Sequence, residues 1–265
     1  HARQHAGYHE RANYLGEACM ILAIDAGNSR VKWGWYQRDD RGAGGWSSIA
    51  TVSLIEFAAS SDQINPFSAT HENPSRIIIS NVAGEGAHKR RLNWTRIFEA
   101  EPLWLKGEAE TCGVRNAYER PEQLGPDRWA ALVAARALEP GRACLVVNAG
   151  TATTVDALSA GGEFIGGLIV PGVDLMRFVL HEHTGSLPLQ PGNFVRAPRN
   201  TVDAIETGCR HAQAGAVERM HRALGGDSVC LVSGGGGPAL IERLELPCRY
   251  VETLVLEGLA RIGRA

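Results

Sequence analysis

The second half of this chain repeats a short pattern that also occurs near the start of the first half. Residues 145–151 read Leu-Val-Val-Asn-Ala-Gly-Thr, and residues 22–28 read Leu-Ala-Ile-Asp-Ala-Gly-Asn. In each half, two further strand patterns follow this segment. Internal similarity of this kind limits the architecture more than local propensity does, because both copies must adopt the same supersecondary unit. The sequence therefore predicts a duplicated fold with two related halves.

Strand patterns alternate with helical patterns along the chain, which is typical of an α/β protein. We expect an N-terminal domain over residues 20–118 and a C-terminal domain over residues 119–265. The boundary lies near the irregular stretch 107–120, just before a helix that begins at Gly125-Pro126. Residues 1–19 are polar and lack periodicity, so we interpret them as a disordered or artificially added tail outside the fold.

The charge balance and the cysteine pattern narrow the class of protein. The 27 Lys and Arg residues are matched by 29 Asp and Glu residues, so no broad basic surface is available to bind nucleic acid. The six cysteines occur singly, without a C-x-x-C pair or a signal-like apolar segment, which indicates reduced thiols in the cytoplasm. The longest apolar runs are far shorter than the roughly 20 residues of a membrane span, so we expect no membrane-crossing segment.

The repeated segment has the composition of a phosphate-binding turn. In the first copy, Gly27 allows a sharp turn that brings backbone N–H groups toward an anion, and Asp25 can hold a hydrated divalent cation. A plain β-turn, with Lys32 solvated, is the alternative for one such hairpin taken alone. The second copy, with Gly150 and three hydroxyl side chains, favours two opposed anion sites, which suit a nucleoside triphosphate. Those hydroxyl side chains are Thr151, Thr153 and Thr154.

A third glycine cluster, 233–238, follows an apolar strand pattern and leads into a helix. Backbone without side chains at this point would let a flat base or a ribose lie close to it. Gly234, Gly236 and Ala239 also match the dinucleotide fingerprint G-x-G-x-x-A, with Glu252 as the acid that follows. That fingerprint normally opens a βαβ domain, whereas this cluster lies near the C-terminus, so we favour the first interpretation. The sequence contains no G-x-x-x-x-G-K-[ST] motif, which excludes a P-loop enzyme.

Asp127 is an acid in the first turn of a predicted helix, where the helix dipole favours a negative charge. In the functional interpretation, the dipole keeps Asp127 ionised while it accepts the proton of an attacking hydroxyl, and Arg128 holds an acidic substrate. In the plain alternative, Asp127 is an ordinary first-turn acid and Arg128 is a surface charge. His181 and His183 could suggest a metal pair, but their position at a helix end favours solvent-facing side chains.

Five motifs in sequence order together resemble those of the type III pantothenate kinases. They are Asp25-x-Gly27-Asn28-Ser29-x-x-Lys32, Gly125-Pro126-Asp127-Arg128-Trp129, Asn148-Ala149-Gly150-Thr151-Ala152-Thr153-Thr154, Gly166-Gly167-x-x-x-Pro171-Gly172 and Asn200-Thr201-x-x-Ala204-Ile205. Each motif is weak alone, but the set stays in register from Met20 to the C-terminus, which makes the resemblance specific.

The resemblance implies a fold and a reaction. The fold is that of the actin-like, sugar-kinase and heat-shock ATPases, with two ribonuclease-H-like domains, each a mixed sheet flanked by helices, and ATP between them. The reaction transfers the γ-phosphoryl group of ATP, with Mg²⁺, to the primary hydroxyl of pantothenate, giving 4'-phosphopantothenate in the first step of coenzyme A biosynthesis. The resemblance also implies a homodimer whose second subunit completes the pantothenate pocket, and the apolar helix face after Asp127 is the surface that we expect there.

The same resemblance implies roles for individual residues, with Asp127 as the general base. The phosphates of ATP would be held by Asp25, Ala26, Gly27, Asn28, Ser29, Arg30, Val31, Lys32 and Thr151, with Mg²⁺ bound to Asp25 through water. Pantothenate would be contacted by Tyr118, Gly125, Pro126, Asp127, Arg128 and Thr201, with Arg128 as the partner of its carboxylate. Two of these residues have structural alternatives, because Thr201 can belong to the N-terminal cap of its helix and Tyr118 can be an aromatic at the edge of the core.

Position 148 departs from the family pattern. The family commonly has an aspartate there, which helps to bind an activating monovalent cation. Asn148 keeps an oxygen ligand but loses the charge. We therefore expect a weaker or altered dependence on K⁺ or NH₄⁺.

Two other functions stay open at this point. One is a kinase of the same superfamily that phosphorylates a sugar or another carboxylate. The other is a non-catalytic regulatory protein that binds nucleotide on the same fold, against which the presence of Asp25, Lys32 and Asp127 argues.

Overall fold

The computed structural model describes residues 19–38, 44–59, 73–82, 95, 98–225 and 227–265. The predicted N-terminal tail lies outside the described residues except for Cys19, with which the first strand begins. A helix that the sequence predicts over residues 87–100 also lies largely outside them.

The first sheet combines an antiparallel meander with two parallel strands. Its strands are β1 (Cys19–Ala26), β2 (Arg30–Arg38), β3 (Gly44–Ser53), β4 (Arg76–Asn81) and β5 (Pro102–Trp104), and a short helix, α1 (Leu54–Ala59), follows β3. β2 pairs antiparallel with β1 and β3, and β4 pairs parallel with β1 and β5. The resulting strand order is β3-β2-β1-β4-β5.

The second sheet repeats this arrangement. Its strands are β6 (Glu110–Thr111), β7 (Val114–Asn116), β8 (Cys144–Ala149), β9 (Ala152–Leu158), β10 (Glu163–Pro171), β11 (Val229–Ser233) and β12 (Cys248–Tyr250). The order β10-β9-β8-β11-β12, antiparallel on one side of β8 and parallel on the other, matches that of the first sheet. The predicted duplication is therefore confirmed, with the small β6–β7 hairpin as an addition at the β10 edge.

Five further helices flank the second sheet or lie between the two sheets. They are α2 (Pro126–Leu138), α3 (Val173–Glu182), α4 (Thr201–Leu224), α5 (Gly237–Ile241) and α6 (Leu254–Ile262). The α/β class and the mixed sheets that the sequence predicts are confirmed. Of the helices that the structure describes, none combines the length and the apolar character that a membrane crossing requires.

The main core lies between the sheets. α2 and α6 pack against each other there, with Ile21 and Ile78 of the first sheet on one side and Val146 and Leu231 of the second sheet on the other. Gly258 of α6 lies against the backbone of α2. The outer faces carry separate clusters, one on the first sheet and one where α4 and α5 cover the second sheet.

This packing corrects one expectation. The apolar side chains of α2 that the sequence places at a dimer interface, including Trp129, Leu132 and Val133, are fully buried within the chain. They are buried because both sheets and α6 enclose α2, so that protein covers this face of the helix as well. The helix face after Asp127 is therefore not available to a second subunit.

Candidate active site

The two repeated hairpin turns meet in the structure. In the first turn, the backbone N–H of Gly27 donates to the carbonyl of Arg30 over 3.0 Å, and Asn28, Ser29 and Arg30 are exposed. The hydroxyls of Ser29 and Thr151 share a hydrogen bond of 2.6 Å. The prediction that the twin turns face each other is therefore confirmed.

Among the predicted phosphate ligands on the strands next to the first turn, some can act through their side chains and others only through their backbone. Asp25 and Lys32 are cross-strand partners, as are Ala26 and Val31. Ala26 and Val31 are fully buried, so only their backbone atoms can reach a phosphate. Lys32 Nζ donates to the carbonyl of Glu252 over 2.9 Å and lies 3.6 Å from a Glu252 carboxylate oxygen, so the lysine joins the first hairpin to the segment after β12.

The glycine cluster after β11 lies against the second turn. Gly234 has a φ of +90°, and a Cβ atom there would lie 2.6 Å from Asn148 Oδ1. The backbone N–H of Gly236 donates to the carbonyl of Ala149 over 2.9 Å. Three glycine-containing turns therefore converge at the end of β8, where Asn148 stands, as expected for a nucleotide site between the two halves.

One hydroxyl predicted for this cleft is used elsewhere. Thr153 is fully buried, and its Oγ1 accepts a hydrogen bond of 2.7 Å from Gln213 of α4. Because side chains alternate along a strand, Thr153 points to the α4 side of the sheet, away from its neighbours Ala152 and Thr154. The expectation that Thr153 offers its hydroxyl to a ligand at the turn is wrong.

Asp127 stands at the start of α2, after the helix cap Gly125 and the first helical residue Pro126. Burial raises the pKa of the Asp127 carboxyl above its usual range, while the backbone N–H and the charge of Arg128 lower it by a smaller amount. The sequence predicts that the helix dipole keeps Asp127 ionised, but burial outweighs the local favourable contacts. A carboxylate with a raised pKa is the better general base at neutral pH.

Arg128 is buried, which overturns its interpretation as a surface charge. Its Nε donates to both carboxylate oxygens of Asp156 over 3.1 Å, and its Nη2 donates to Asp156 Oδ1 over 2.5 Å. Asp156 on β9 is a residue that the motifs do not contain. The signal for it was a single charged side chain in a strand pattern of uncharged residues, because a carboxylate needs a partner when buried.

Asp156 lies five residues after Thr151, the residue before β9, which is roughly 16 Å at about 3.3 Å per residue. β9 therefore connects the second hairpin turn to the carboxylate that binds Arg128 at the start of α2. β10 spans the same region, since Gly167 lies beside the Asp156–Arg128 pair and the backbone N–H of Gly172 donates to Thr151.

The remaining predicted substrate residues have defined surroundings. Tyr118 Oη accepts a hydrogen bond of 3.2 Å from Arg128 Nη1, and its ring packs against Phe164. Tyr118 is thus a core-edge aromatic whose hydroxyl reaches the candidate site. Thr201 is exposed at the first position of α4, and the cap is formed by Asn200, whose Oδ1 accepts from the backbone N–H of Asp203 over 2.8 Å.

The described residues contain no group of three or more His, Cys, Asp or Glu side chains that could hold a metal ion. His181 Nδ1 makes a hydrogen bond of 2.7 Å with the carbonyl of Leu187, which ties α3 to the following loop. The carboxylate of Asp25, beside the turn predicted to bind phosphate, has the donor chemistry that Mg²⁺ requires, because this ion is usually held by one or two carboxylates together with substrate phosphates.

Comparison with known proteins shows the family. A family model described as type III pantothenate kinase matches residues 21–223. A type III pantothenate kinase from Aromatoleum aromaticum is 48% identical over 247 residues, covering 92% of this chain and 98% of that protein. The similarity thus extends over nearly the whole of both chains.

Solved structures share the fold at low sequence identity. A Campylobacter jejuni protein assigned to the Baf family of transcriptional activators aligns with a TM-score of 0.58 at 20% identity, covering 91% of this chain and 96% of that one. The activator of 2-hydroxyisocaproyl-CoA dehydratase from Clostridium difficile, solved with bound ADPNP, aligns with a TM-score of 0.50 at 12% identity, covering 92% of each chain. At these identities the likeness concerns the fold alone.

Proposed function

This chain belongs to the type III pantothenate kinase family, which transfers a phosphate group to pantothenate, and we propose that Asp127 is the general base of that reaction. The observation that carries the proposal is the partly buried carboxylate of Asp127, with its raised pKa, at the start of the helix whose Arg128 binds Asp156 on β9, the strand that follows the second of the paired hairpin turns. An ionised carboxylate there accepts the proton of the primary hydroxyl of pantothenate. The hydroxyl oxygen then forms the new bond to the γ-phosphorus of ATP as the bond to the leaving ADP breaks.

The twin turns are the proposed phosphate cradle. The exposed side chains of Asn28, Ser29 and Arg30, the hydroxyl of Thr151 and the backbone of 25–32 supply donors to the phosphate oxygens. Mg²⁺ would neutralise the charge that spreads over those oxygens, with Asp25 as its carboxylate contact through water. Lys32 Nζ donates to the carbonyl of Glu252, and it would break this hydrogen bond to contact the phosphates.

The start of α2 is the proposed acceptor site. Gly125, Pro126 and Arg128 surround Asp127 in sequence, and the Tyr118 hydroxyl reaches the same guanidinium. Arg128 carries the positive charge that attracts the pantothenate carboxylate. Thr201, at the exposed first position of α4, is a further proposed contact.

A monovalent cation is proposed at Asn148. The Asn148 side-chain oxygen lies beside the backbone of Gly234 and next to the Ala149 carbonyl, which are neutral oxygen-rich surroundings suited to K⁺ or NH₄⁺. Without a carboxylate at position 148, the affinity for that cation is expected to be low. We also propose a cytoplasmic homodimer.

The decisive experiment measures phosphorylation with ATP and a panel of acceptors that includes pantothenate, sugars and other hydroxy acids. Asp127→Asn is expected to lower kcat by about 10²- to 10⁴-fold with the KM for ATP nearly unchanged, because the loss concerns proton transfer. Asp174→Asn is the matched control, since Asp174 is a first-turn acid of α3 whose side chain is 98% exposed. Unchanged turnover in Asp127→Asn would remove Asp127 from the role, and nucleotide binding without any turnover would favour the regulatory alternative.

A further inference from the structure

The ion pair between Arg128 and Asp156 is the most deeply buried pair of opposite charges near the start of α2. Arg128 is 5% exposed and Asp156 is 1% exposed. Asp156 contacts the guanidinium through two of its nitrogens, Nε and Nη2, and Tyr118 Oη occupies the third nitrogen, Nη1. The guanidinium is therefore held on all three nitrogens and has a fixed orientation.

The cost of this arrangement suggests a role beyond stability. Removing two charges from water costs several kcal/mol per ion, and the attraction between them often only balances that cost, so an apolar pair of similar volume would stabilise the fold about as well. The neighbouring strand also accommodates the pair: a Cβ atom at Gly167 of β10 would lie 2.8 Å from Arg128 Nη2 and would overlap Asp156 Oδ1. Glycine at position 167 therefore leaves the space that the ion pair occupies.

The contacts also define what Arg128 has left to offer. They use its Nε–H and one N–H on each terminal nitrogen, so the second hydrogen of each terminal nitrogen remains for another acceptor. Because Asp156 occupies the edge formed by Nε and Nη2, an acceptor at the edge formed by Nη1 and Nη2 would meet the second hydrogen of Nη2. A carboxylate binds such an edge with two parallel hydrogen bonds.

We infer that Asp156 is a positioning residue of the phosphoryl-transfer site: it orients Arg128 toward the pantothenate carboxylate, and through this contact it places the primary hydroxyl at Asp127. This inference rests on the proposed function, since it assumes that Arg128 contacts pantothenate. Asp156 itself does not touch the substrate. An error of about 1 Å in the position of a bound substrate can cost roughly 10²-fold in rate, so a residue that fixes the clamp matters to catalysis without taking part in it.

The test is a double-mutant cycle of Asp156→Asn and Arg128→Gln, with steady-state constants measured for both substrates. Asp156→Asn is expected to raise the KM for pantothenate by about 10- to 100-fold while the KM for ATP stays within about twofold. A role in stability alone would reduce the folded fraction and hence the apparent kcat, but it would leave the KM for pantothenate unchanged. The expected split between the two KM values therefore separates the two roles.

The double variant Arg128→Gln/Asp156→Asn carries no unpaired buried charge. Its KM for pantothenate can therefore be measured even if Asp156→Asn alone does not fold. Its KM for pantothenate is expected to equal that of Arg128→Gln, because Asp156 acts only through Arg128. A further increase in the double variant would mean that Asp156 acts independently and would overturn the inference. Glu139→Gln is the matched control, since Glu139 pairs with Arg142 and Arg249 at the other end of α2 and should leave both KM values unchanged.

The outcomes also distinguish the inference from the function on which it rests. A wild-type protein that does not phosphorylate pantothenate overturns the proposed function. A wild-type protein that is active, with an unchanged pantothenate KM in Arg128→Gln, overturns the positioning role and leaves the kinase assignment standing.

Discussion

Asp127 is subject to two opposing influences on its protonation. Burial disfavours the charged carboxylate, whereas the N–H and the charge of Arg128 favour it, and burial has the larger effect, so the pKa of Asp127 is raised. A group that must be ionised to act but is destabilised when ionised is typical of active sites. Catalysis and stability therefore make opposite demands on this residue.

That conflict predicts a stability gain on removal of the charge. Because the pKa is higher in the folded than in the unfolded state, the ionised carboxylate destabilises the fold at pH values above the folded pKa, and the penalty vanishes below the unfolded pKa of about 4. Asp127→Asn is expected to raise Tm at pH 7.5, where the ionised carboxylate destabilises the fold, and to leave Tm at pH 4 nearly unchanged. Thermal unfolding at pH 7.5 and pH 4 measures this difference, and a gain of equal size at both pH values would contradict it.

A second residue-scale prediction concerns Asn148. In Asn148→Asp the new carboxylate lies beside Gly234 and adds a charged oxygen ligand, so a bound K⁺ should stabilise this variant more than the wild type. We expect KCl to raise both the Tm and the kcat of the variant, with kcat increasing by roughly threefold or more over the wild-type response, as an added charged oxygen ligand implies. Tetramethylammonium chloride at equal ionic strength is the control. Equal responses to KCl in both proteins would contradict the proposal that the cation binds at position 148.

At the scale of elements, the contact between α2 and α6 joins the site to the core. α2 presents Asp127 and Arg128 at its first turn, and α6 fixes the helix by packing along it between the sheets. Gly258 allows this packing, because a Cβ atom there would lie 2.8 Å from the Cα atom of Ala130 and would overlap its carbonyl. Because these neighbours are backbone atoms, they cannot move aside as a flexible side chain can. A side chain at position 258 would therefore push α2 and α6 apart.

Gly258→Ala is therefore expected to destabilise the protein by about 3 kcal/mol, at the upper end of the usual cost of overpacking. The control is Gly215→Ala in α4, where nothing lies within 4 Å of the added methyl group and where alanine should stabilise the helix by about 0.5–1 kcal/mol. Urea denaturation of both variants measures the difference. Equal midpoints for the two variants would show that the helix crossing tolerates a side chain.

Local patterns predicted the elements of the site better than its long-range contacts. The repeated segments around Asp25 and Asn148 specify two hairpins, because turn chemistry and strand alternation act over a few residues. The partner of Arg128 could not be read in this way, since it depends on which face of β9 carries Asp156 and on how closely α2 approaches that face. The position of α6 had a partial signal, because Leu254, Leu256, Leu259 and other apolar residues occupy most of that helix, as expected for a helix that is largely buried.

At the scale of the whole molecule, two copies of one sheet unit enclose a pair of helices. The core that they share includes residues of both sheets, so the halves are not independent bodies joined by a linker. The twin turns and the glycine cluster meet at the end of β8, and β9 leads from there to the contact between Asp156 and the first turn of α2. The division at residues 118 and 119 stays a proposal about sequence, because α6, from the second half, packs against β1 of the first.

The proposed homodimer needs a surface other than the buried face of α2. Among the described residues, exposed apolar side chains occur on β10 and α3, including Ile169, Phe178 and Val179. Exposed apolar side chains on two consecutive elements are a candidate surface for a partner. Since β10 also passes the Asp156–Arg128 pair, a second subunit bound here would lie close to the proposed acceptor site.

Light scattering is therefore expected to give a mass near twice 28.5 kDa for the wild type and near 28.5 kDa for Phe178→Glu, in which a charge replaces a ring that is 47% exposed in the single chain. A charge buried without a partner at an interface costs several kcal/mol, enough to dissociate a typical dimer at micromolar concentration. Leu103→Glu on β5 is the matched control, because Leu103 is 55% exposed and lies on the other sheet. A monomeric wild type would exclude the homodimer, whereas a dimeric Phe178→Glu would move its interface away from α3.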